Sequence, residues 1–543
     1  MLVSKFLIER LKNLGLKHVF GVPGDYVLDF YKDLCESNLI DVVNTTDEAH
    51  AGFAADAYAR INGVGCAVVT YSVGASKLIN AVQCAYAERS PMIVISGAPG
   101  VAERNEDLLL HHMVRHFNSQ KKMFDEITCS SIVLDDPNKA GYDIDKALEC
   151  LQYYKRPIYI EVPRDVLKQS LSYDVYKVGT PTIPKTDNDI LEEAIEDSFQ
   201  LLKNSKNPVI LASVEISRYN LGEKMMKFAE KNNIPVTTTM LGKSVINEKN
   251  HLFAGIYQGP ASLNHTKQLV EDSDCLLVFG DYHHDINLCF KPAKFIKKQS
   301  LWTTVESLKI RNHNYANVNF VDFCNKLFCF EDSPKADQNY LKYKESDNVF
   351  CPKKETLVTS NRIFEKINSI LNKDMAICAD IGDSLFGALS LIVHHKHHFL
   401  SPAFYTTMGA SIPYSLGVQT LFPNIRPIVI IGDGAFQMSC TELSTIVNRG
   451  LNPIVFILNN DGYTTERFLL EGKFNNLNQW NYEKILDVFG KGKGFLVKTE
   501  EDLEEFTNKA LDLKETVVLN IILNRRDSSD SLKRVTEFLS KII

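Results

Sequence analysis

Two polar residues close neighbouring apolar runs in the C-terminal third of the chain. RPIVIIGDGAF sets Asp433 between Gly432 and Gly434, and PIVFILNNDGY sets Asn460 just ahead of Asp461 and Gly462. Each run has the uninterrupted β-branched character of a strand buried on both faces, and the segment between them reads as helical. A right-handed crossover lays such strands parallel, and ligands of parallel sheets collect beyond the carboxyl ends of the strands. Both oxygen ligands then face one crevice. The glycines allow close approach of backbone to an anion, and a helix expected to begin near Ala435 offers free N–H groups and a positive dipole end. A carboxylate, an amide oxygen and phosphate oxygens form a hard, octahedral set suited to Mg²⁺. Two tight turns would use the same letters for glycine chemistry alone.

The elements that position these residues alternate strand and helix at both ends of the chain. HVFGV, IDVVNTT, GCAVVTYS and PMIVISG read as strands, separated by the helical segments DYVLDFYKDLCES, DEAHAGFAADAYARI and GASKLINAVQCAYAERS. DMAICADIG, RPIVIIGDG and PIVFILNND repeat the scheme near the C-terminus, and NPVILAS, IPVTTTM and CLLVFG mark a third unit between them. Alternation of this kind predicts parallel sheets covered on both faces. The expectation is three doubly wound α/β domains over residues 1–178, 190–340 and 355–543, joined by the proline- and charge-rich stretches VGTPTIPKTDND and EDSPKADQNYLKYKESDNVFCPKKET.

Composition narrows the chemistry further. The 543 residues are 45% hydrophobic and 23% charged, with a formal net charge of −7, so no global basic field points to nucleic acid. The expected partner is a small molecule. Twelve cysteines without a C-x-x-C pair suit a reducing compartment. MLVSKFLIERLKNLG interrupts its apolar residues with charge, which reads as an amphipathic helix rather than a signal peptide, and no apolar stretch is long enough to span a bilayer. A cytoplasmic protein without membrane contact is expected. HHKHHF, from His394 to Phe399, could ligate a transition metal, although a solvated loop is the plainer reading.

The GDG to NNDGY segment resembles the diphosphate and magnesium signature of thiamine diphosphate enzymes. GVPGDY, TTDEAHAGFAADAYAR, AYAERSPMIVISGAPG and the histidine pair of LLLHHMVRHF are similar to the pyrimidine-binding domain of 2-oxo-acid decarboxylases, most closely the phenylpyruvate and indolepyruvate branch. The resemblance covers nearly the whole chain. It implies thiamine diphosphate and Mg²⁺ as cofactors, with Asp433, Asn460 and the backbone of Gly462 on the metal and Gly432, Gly434 and Ala435 beside the diphosphate. Glu48 is implied as the acid on the aminopyrimidine ring, Asp25, His111, His112 and Glu466 as the groups that handle protons, Met408 as the support beneath the cofactor, and Thr406 as a backbone contact. Thr70 resembles the phenylpyruvate branch, and Asp285 and Thr465 are implied near the substrate. Histidine suits proton donation near neutral pH without perturbation. Taken singly, these residues have plainer readings: Glu48 as a first-turn acid with Thr46 or Asp47 as cap, Asp25 as a helix cap, the histidines as a solvated loop, Glu466 paired with Arg467 and Met408 as ordinary core.

Two positions depart from the family. Asp383, in ADIGDSLFG, stands where a hydroxyl is usual near the diphosphate, and Thr465 replaces an isoleucine found in enzymes for small substrates. The first raises a question of like-charge repulsion; the second leaves room for a side chain larger than methyl, hence an arylpyruvate preference. The middle unit carries no G-x-G-x-x-G, which argues against FAD. A carboligase of the acetolactate synthase type would share Glu48 and the metal segment, a decarboxylase preferring pyruvate or branched-chain 2-oxo acids would share all of it, and a non-catalytic ligand-binding protein would need only the phosphate cradle. The resemblance also implies a homodimer or homotetramer with active sites between subunits.

Overall fold

The computed structural model describes residues 1–104, 108–171, 184–289, 300–331 and 349–539. Half of the first expected linker and most of the second, and with them the boundaries at 178 and 340, lie outside the described residues.

Three sheets follow one another along the chain. In the first, the strands run in the order Asp41–Asn44, His18–Gly21, Gly65–Val69, Met92–Ala98, Ile158–Pro163, Ser130–Val133, all parallel. In the third, Met375–Ala379, Arg426–Gly432, Ile454–Asn459 and Val517–Ile522 form the centre, flanked by Phe399–Leu400 and Lys493–Val497, again all parallel. The middle sheet has a parallel core of Cys275–Phe279, Pro208–Ala212, Val236–Thr239 and Phe253–Tyr257. Its other edge adds Ser300–Thr304, followed by Ser307–Ile310 and His313–Tyr315 in antiparallel hairpins. Among the described residues no helix is long and apolar enough to cross a membrane.

Register explains why the two polar residues of the C-terminal sheet meet. Gly432 pairs with Leu458 on the adjacent parallel strand, so Asp433 and Asn460 leave the same sheet edge side by side. The helix expected near Ala435 starts two residues earlier, at Asp433, with extended Gly432 as its cap.

The first and third domains share one continuous apolar core, joined where the helices Glu48–Asn62 and Ser411–Leu421 pack together. Small residues permit the approach: a Cβ on Gly417 would stand 2.3 Å from the Ala54 carbonyl oxygen and 3.1 Å from Ala57 Cβ. A buried polar network completes the joint. Arg60 donates to Asp56 at 2.8 Å and to Glu88 at 2.7 Å, and the Tyr414 hydroxyl donates to Asp56 at 2.8 Å. The other oxygen of Glu88 accepts from the N–H groups of Phe404 and Tyr405 at 2.7 and 2.9 Å, and Arg60 also reaches the Ser401 carbonyl. Every buried charge thus has partners, as burial in low dielectric demands. The middle domain joins through Arg218, which donates to the Arg89 carbonyl at 2.5 Å.

Replacing Gly417 with alanine drives a methyl group into backbone that has nowhere to retreat. It is expected to cost about 1–3 kcal/mol in urea-induced unfolding monitored by circular dichroism.

Candidate active site

At the C-terminal sheet edge, Asp433 is almost fully buried, and its two carboxylate oxygens accept from the N–H groups of Gly434 and Gly462, each at 2.9 Å. Burial pushes this carboxyl up to about 6, against the N–H groups of Gly462 and Gly434, which favour its ionised form. Beside it, Asn460 is buried with its side-chain oxygen lacking any hydrogen-bond partner. An orphaned amide oxygen next to a desolvated carboxylate is costly unless a cation binds both. The chemistry of the pair therefore fits Mg²⁺.

The glycines are dictated by space. Gly462 has φ +137°, and a Cβ there would lie 2.0 Å from the Asn475 carbonyl oxygen; a Cβ on Gly434 would lie 2.5 Å from the Tyr463 ring. Gly432 faces open space, as a phosphate would require. The Gly462 carbonyl accepts from Thr464 N–H at 3.1 Å and keeps a second lone pair for a metal. Arg467, buried behind the loop, donates to the carbonyls of Asn460 and Asp461 and to Asn476. Glu466 consequently is not its partner; that carboxylate is exposed on the helix Thr464–Leu469, next to half-buried Thr465.

Asp380, unnoticed in the sequence, organises the neighbouring loop. Fully buried at the end of the strand Met375–Ala379, it accepts from Gly409 N–H at 3.1 Å, from Ser411 N–H at 3.1 Å and from the Ser411 hydroxyl at 2.9 Å. It has the same signature as Asp433, an acid closing an apolar run, which could have revealed it. The loop it holds carries Thr406, exposed and left-handed at φ +55°, and half-buried Met408, packed against the shared core. A left-handed non-glycine residue stores strain that the surroundings must hold in place. Gly409 abuts the helix Asp433–Ser439, with its ideal Cβ 3.1 Å from Met438 Cβ.

Asp383 is buried against Ser360 and Ser529. Its carboxylate accepts from the Ser360 hydroxyl and from Ser529 N–H at 3.0 and 3.1 Å, at the foot of the helix Asp530–Leu539. Burial raises its pKa while these donors oppose the rise. The anticipated repulsion is thus met by two donors. Gly382, with φ +72°, brings this loop to Thr465, whose hydroxyl oxygen would lie 3.2 Å from an added Cβ.

A second cluster stands at the carboxyl edge of the N-terminal sheet. Glu48 is the first residue of the helix Glu48–Asn62, and Asp47 is the cap, accepting from Ala49 N–H at 2.8 Å. One Glu48 oxygen lies 3.1 Å from Lys77 Nζ, which also donates to Asp47 at 2.7 Å. The other faces Gly74, where an ideal Cβ would be 3.3 Å away, and Gly74 and Gly24 both abut Thr70, whose buried hydroxyl has no partner. Asp25 does not cap the following helix, which begins at Leu28 after Val27. It binds His111 Nε2 at 2.6 Å and lies 3.8 Å from His112 Nε2. Tyr26 fixes the pair: its ring stacks on His111 at 4.7 Å and its hydroxyl donates to the His111 carbonyl at 3.3 Å. The C-terminal domain of the same chain secures the start of the Glu48 helix through Glu442, which accepts from Thr46 N–H at 3.0 Å and binds His50 Nδ1 at 3.0 Å.

Other sequence candidates lie elsewhere. Asp285 is exposed, while adjacent Ile286 packs near Leu385 and Phe386 at the boundary of the middle and C-terminal domains. The histidines of HHKHHF do not gather as ligands among the described residues: His397 Nδ1 binds the Ser217 hydroxyl at 2.6 Å, and His398 Nδ1 binds the Met375 carbonyl at 3.0 Å. Burial lowers both rings to about 4, so they are neutral structural groups.

Residues 1–125 match the thiamine pyrophosphate enzyme N-terminal TPP binding domain, 195–327 the central domain and 380–521 the C-terminal TPP binding domain. The chain is 31% identical to an indole-3-pyruvate decarboxylase of Azospirillum brasilense, covering 99% of this chain and 98% of that protein. It is 30% identical to a probable pyruvate decarboxylase of Schizosaccharomyces pombe over 94% of this chain and 90% of that one. With a pyruvate decarboxylase of Arabidopsis thaliana the identity is 27%, covering 98% and 92%.

The pKa of Asp433, raised from 3.8 to about 6, sets the sign of a pH effect. The metal-free fold gains from this group at low pH and loses that gain as the pH rises through about 6, where the ionised carboxylate becomes available to a metal. Mg²⁺ with thiamine diphosphate is expected to raise the calorimetric melting temperature by about 4 °C or more at neutral pH and hardly at all below about pH 5. Asn460→Ala should abolish the increment while leaving the metal-free melting temperature nearly unchanged.

Proposed function

The chain belongs to the thiamine pyrophosphate enzymes, and from that premise we propose that it releases aldehyde and carbon dioxide from phenylpyruvate or indolepyruvate in preference to pyruvate. Its relatives place it among the thiamine diphosphate-dependent 2-oxo-acid decarboxylases, with Mg²⁺ as the accompanying metal.

Thiamine diphosphate, when bound, supplies the carbon nucleophile and the electron sink that a 2-oxo acid lacks on its own. The remaining tasks fall to the chain. Asp433, Asn460 and the Gly462 carbonyl would hold Mg²⁺, and the Ala435 N–H would meet the diphosphate beside Gly432 and Gly434. The Thr406 backbone and the Met408 side chain would bracket the rings, the methionine adapting to their shape. Glu48 would hold a proton at the pyrimidine nitrogen. Asp25 orients His111 so that the imidazole can deliver a proton to the product carbon, with His112 and Glu466 completing the relay.

The observation that carries this reading is the Asp25 to His111 contact of 2.6 Å, with His112 beside it: a proton-delivery cluster fixed by Tyr26. A carboligase gains nothing from such donors, because early protonation removes the carbon nucleophile it must pass on. Support for an aromatic substrate comes from Thr465, short and polar beside Glu466, and from the arylpyruvate named for the Azospirillum relative. Asp285 would lie toward the substrate entrance, and Thr70 would face the cofactor.

Completion of the site by a second copy of the chain has its own support. The Asp25 and Glu48 side exposes Leu28, Val73, Leu109 and Val114, and the metal side exposes Met438, Leu470, Phe474 and Trp480. Apolar residues concentrated on both halves suit surfaces that face one another across subunits.

With Mg²⁺ and thiamine diphosphate supplied, kcat/KM for phenylpyruvate or indolepyruvate is expected to exceed that for pyruvate by about 10-fold or more, read as aldehyde in a coupled assay. Comparable values would overturn the preference, and a hydroxyketone product would overturn decarboxylation. Mixing separately inactive Glu48→Gln and Asp433→Ala chains should restore part of the activity, since a mixed dimer then carries one intact site; no recovery after subunit exchange would exclude a site shared between subunits.

A further inference from the structure

Lys77 is absorbed by neither the sequence pattern nor the proton relay described above. It lies on the helix Val73–Ala87, with its side chain half exposed, and its ammonium is shared between Asp47 at 2.7 Å and Glu48 at 3.1 Å. Glu48 is only 12% exposed at its side chain, and this cation meets it one helical turn along from Gly74. The two carboxylate oxygens are thereby made unequal: Oε2 is occupied by Lys77, while Oε1 faces the gap that Gly74 leaves. We infer that Lys77 is a positioning residue that aims Oε1 of Glu48 at the cofactor ring and biases the proton they share toward the ring nitrogen. This rests on the decarboxylase reading, in which Glu48 holds that proton.

The physical reason is direct. A cation within hydrogen-bond reach stabilises the ionised carboxylate, so a proton shared between Glu48 and a ring nitrogen is biased toward the ring. Exposure of Lys77 to solvent screens the effect but leaves it measurable. Other charged or titratable groups around Glu48 do not supply it. Asp47 is anionic and competes for the same ammonium. His50 and Glu442 engage one another, with Glu442 also occupied by Thr46. Tyr31, behind the helix, gives its hydroxyl to the Val68 carbonyl at 2.8 Å. The pairing is also geometric: Asp47 caps the helix and holds Lys77 in place, and Lys77 in turn holds Glu48.

The test measures thiamine diphosphate affinity by equilibrium dialysis with excess Mg²⁺ between about pH 5.5 and 8.5. Lys77→Met should move the alkaline midpoint of binding upward by about half a pH unit or more. Lys77→Arg, which keeps the charge, should hold the midpoint close to that of the unaltered protein. In a Glu48→Gln background, Lys77→Met should produce no further shift, because the carboxylate it acts through is gone. A Lys77→Met profile superimposed on the unaltered one overturns the inference, and so does a shift that persists in the Glu48→Gln background. Equal melting temperatures of the variants, expected for an exposed side chain, show that the shift is not a folding defect. The binding profile reads Lys77 alone, whereas aldehyde release by the unaltered protein reads the decarboxylase assignment, so the two fail separately.

Discussion

The packing of the helix Glu48–Asn62 against the helix Ser411–Leu421 is the constraint on which the rest of the molecule depends. Gly417 seated on the Ala54 carbonyl oxygen leaves no slack between the domains. The buried Asp56, Arg60, Glu88 and Tyr414 network then fixes the register, because slipping the helices would break the bonds from Tyr414 to Asp56, from Arg60 to the Ser401 carbonyl and from the Phe404 and Tyr405 N–H groups to Glu88. Glu48 opens one of the two helices, and the loop carrying Thr406 and Met408 leads into the other. The orientation of the acid and the shape of the cofactor-facing loop are therefore set by one joint, with Glu442 adding a clasp at the helix start.

The end that holds Asp433 and Asn460 obeys a different logic. Asp433 and Asn460 are adjacent through the register of two parallel strands, and both are buried at a net cost to the metal-free chain. Desolvation of the acid and the missing partner of the amide are the same expense seen twice. A site built in this way is pre-formed by the sheet rather than by the ligand, which is the usual arrangement where affinity must not be spent on ordering the protein.

Much of this was legible in the letters because the relevant residues end strands. An acid or amide closing an apolar run announces both the strand and the edge at which it stops, and GDG and NNDG did so. The same rule covers Asp380, but its partners, Gly409 and Ser411, lie at the start of a helix rather than at the end of a second apolar run. Asp25 and the histidine pair were recognisable as candidates by resemblance, yet only the fold shows that Tyr26 braces them and that Asp25 does not cap a helix. The hairpin strands Ser300–Thr304, Ser307–Ile310 and His313–Tyr315 escaped notice: their short, mixed segments lack the long apolar run that betrays a buried parallel strand. Lys77 is invisible to periodicity, since a solvent-facing lysine on a helix looks like any other until its neighbours are known.

Asp383 carries a last consequence. Its carboxylate buttons the turn beneath the proposed diphosphate cradle to Ser360 and to the amide that opens the helix Asp530–Leu539. That helix lays Val535 and Phe538 beside Phe386, on the boundary with the middle domain. Lifting it would strip a backbone donor from a buried acid, so this helix, the last among the described residues, is latched to the C-terminal sheet by a single side chain.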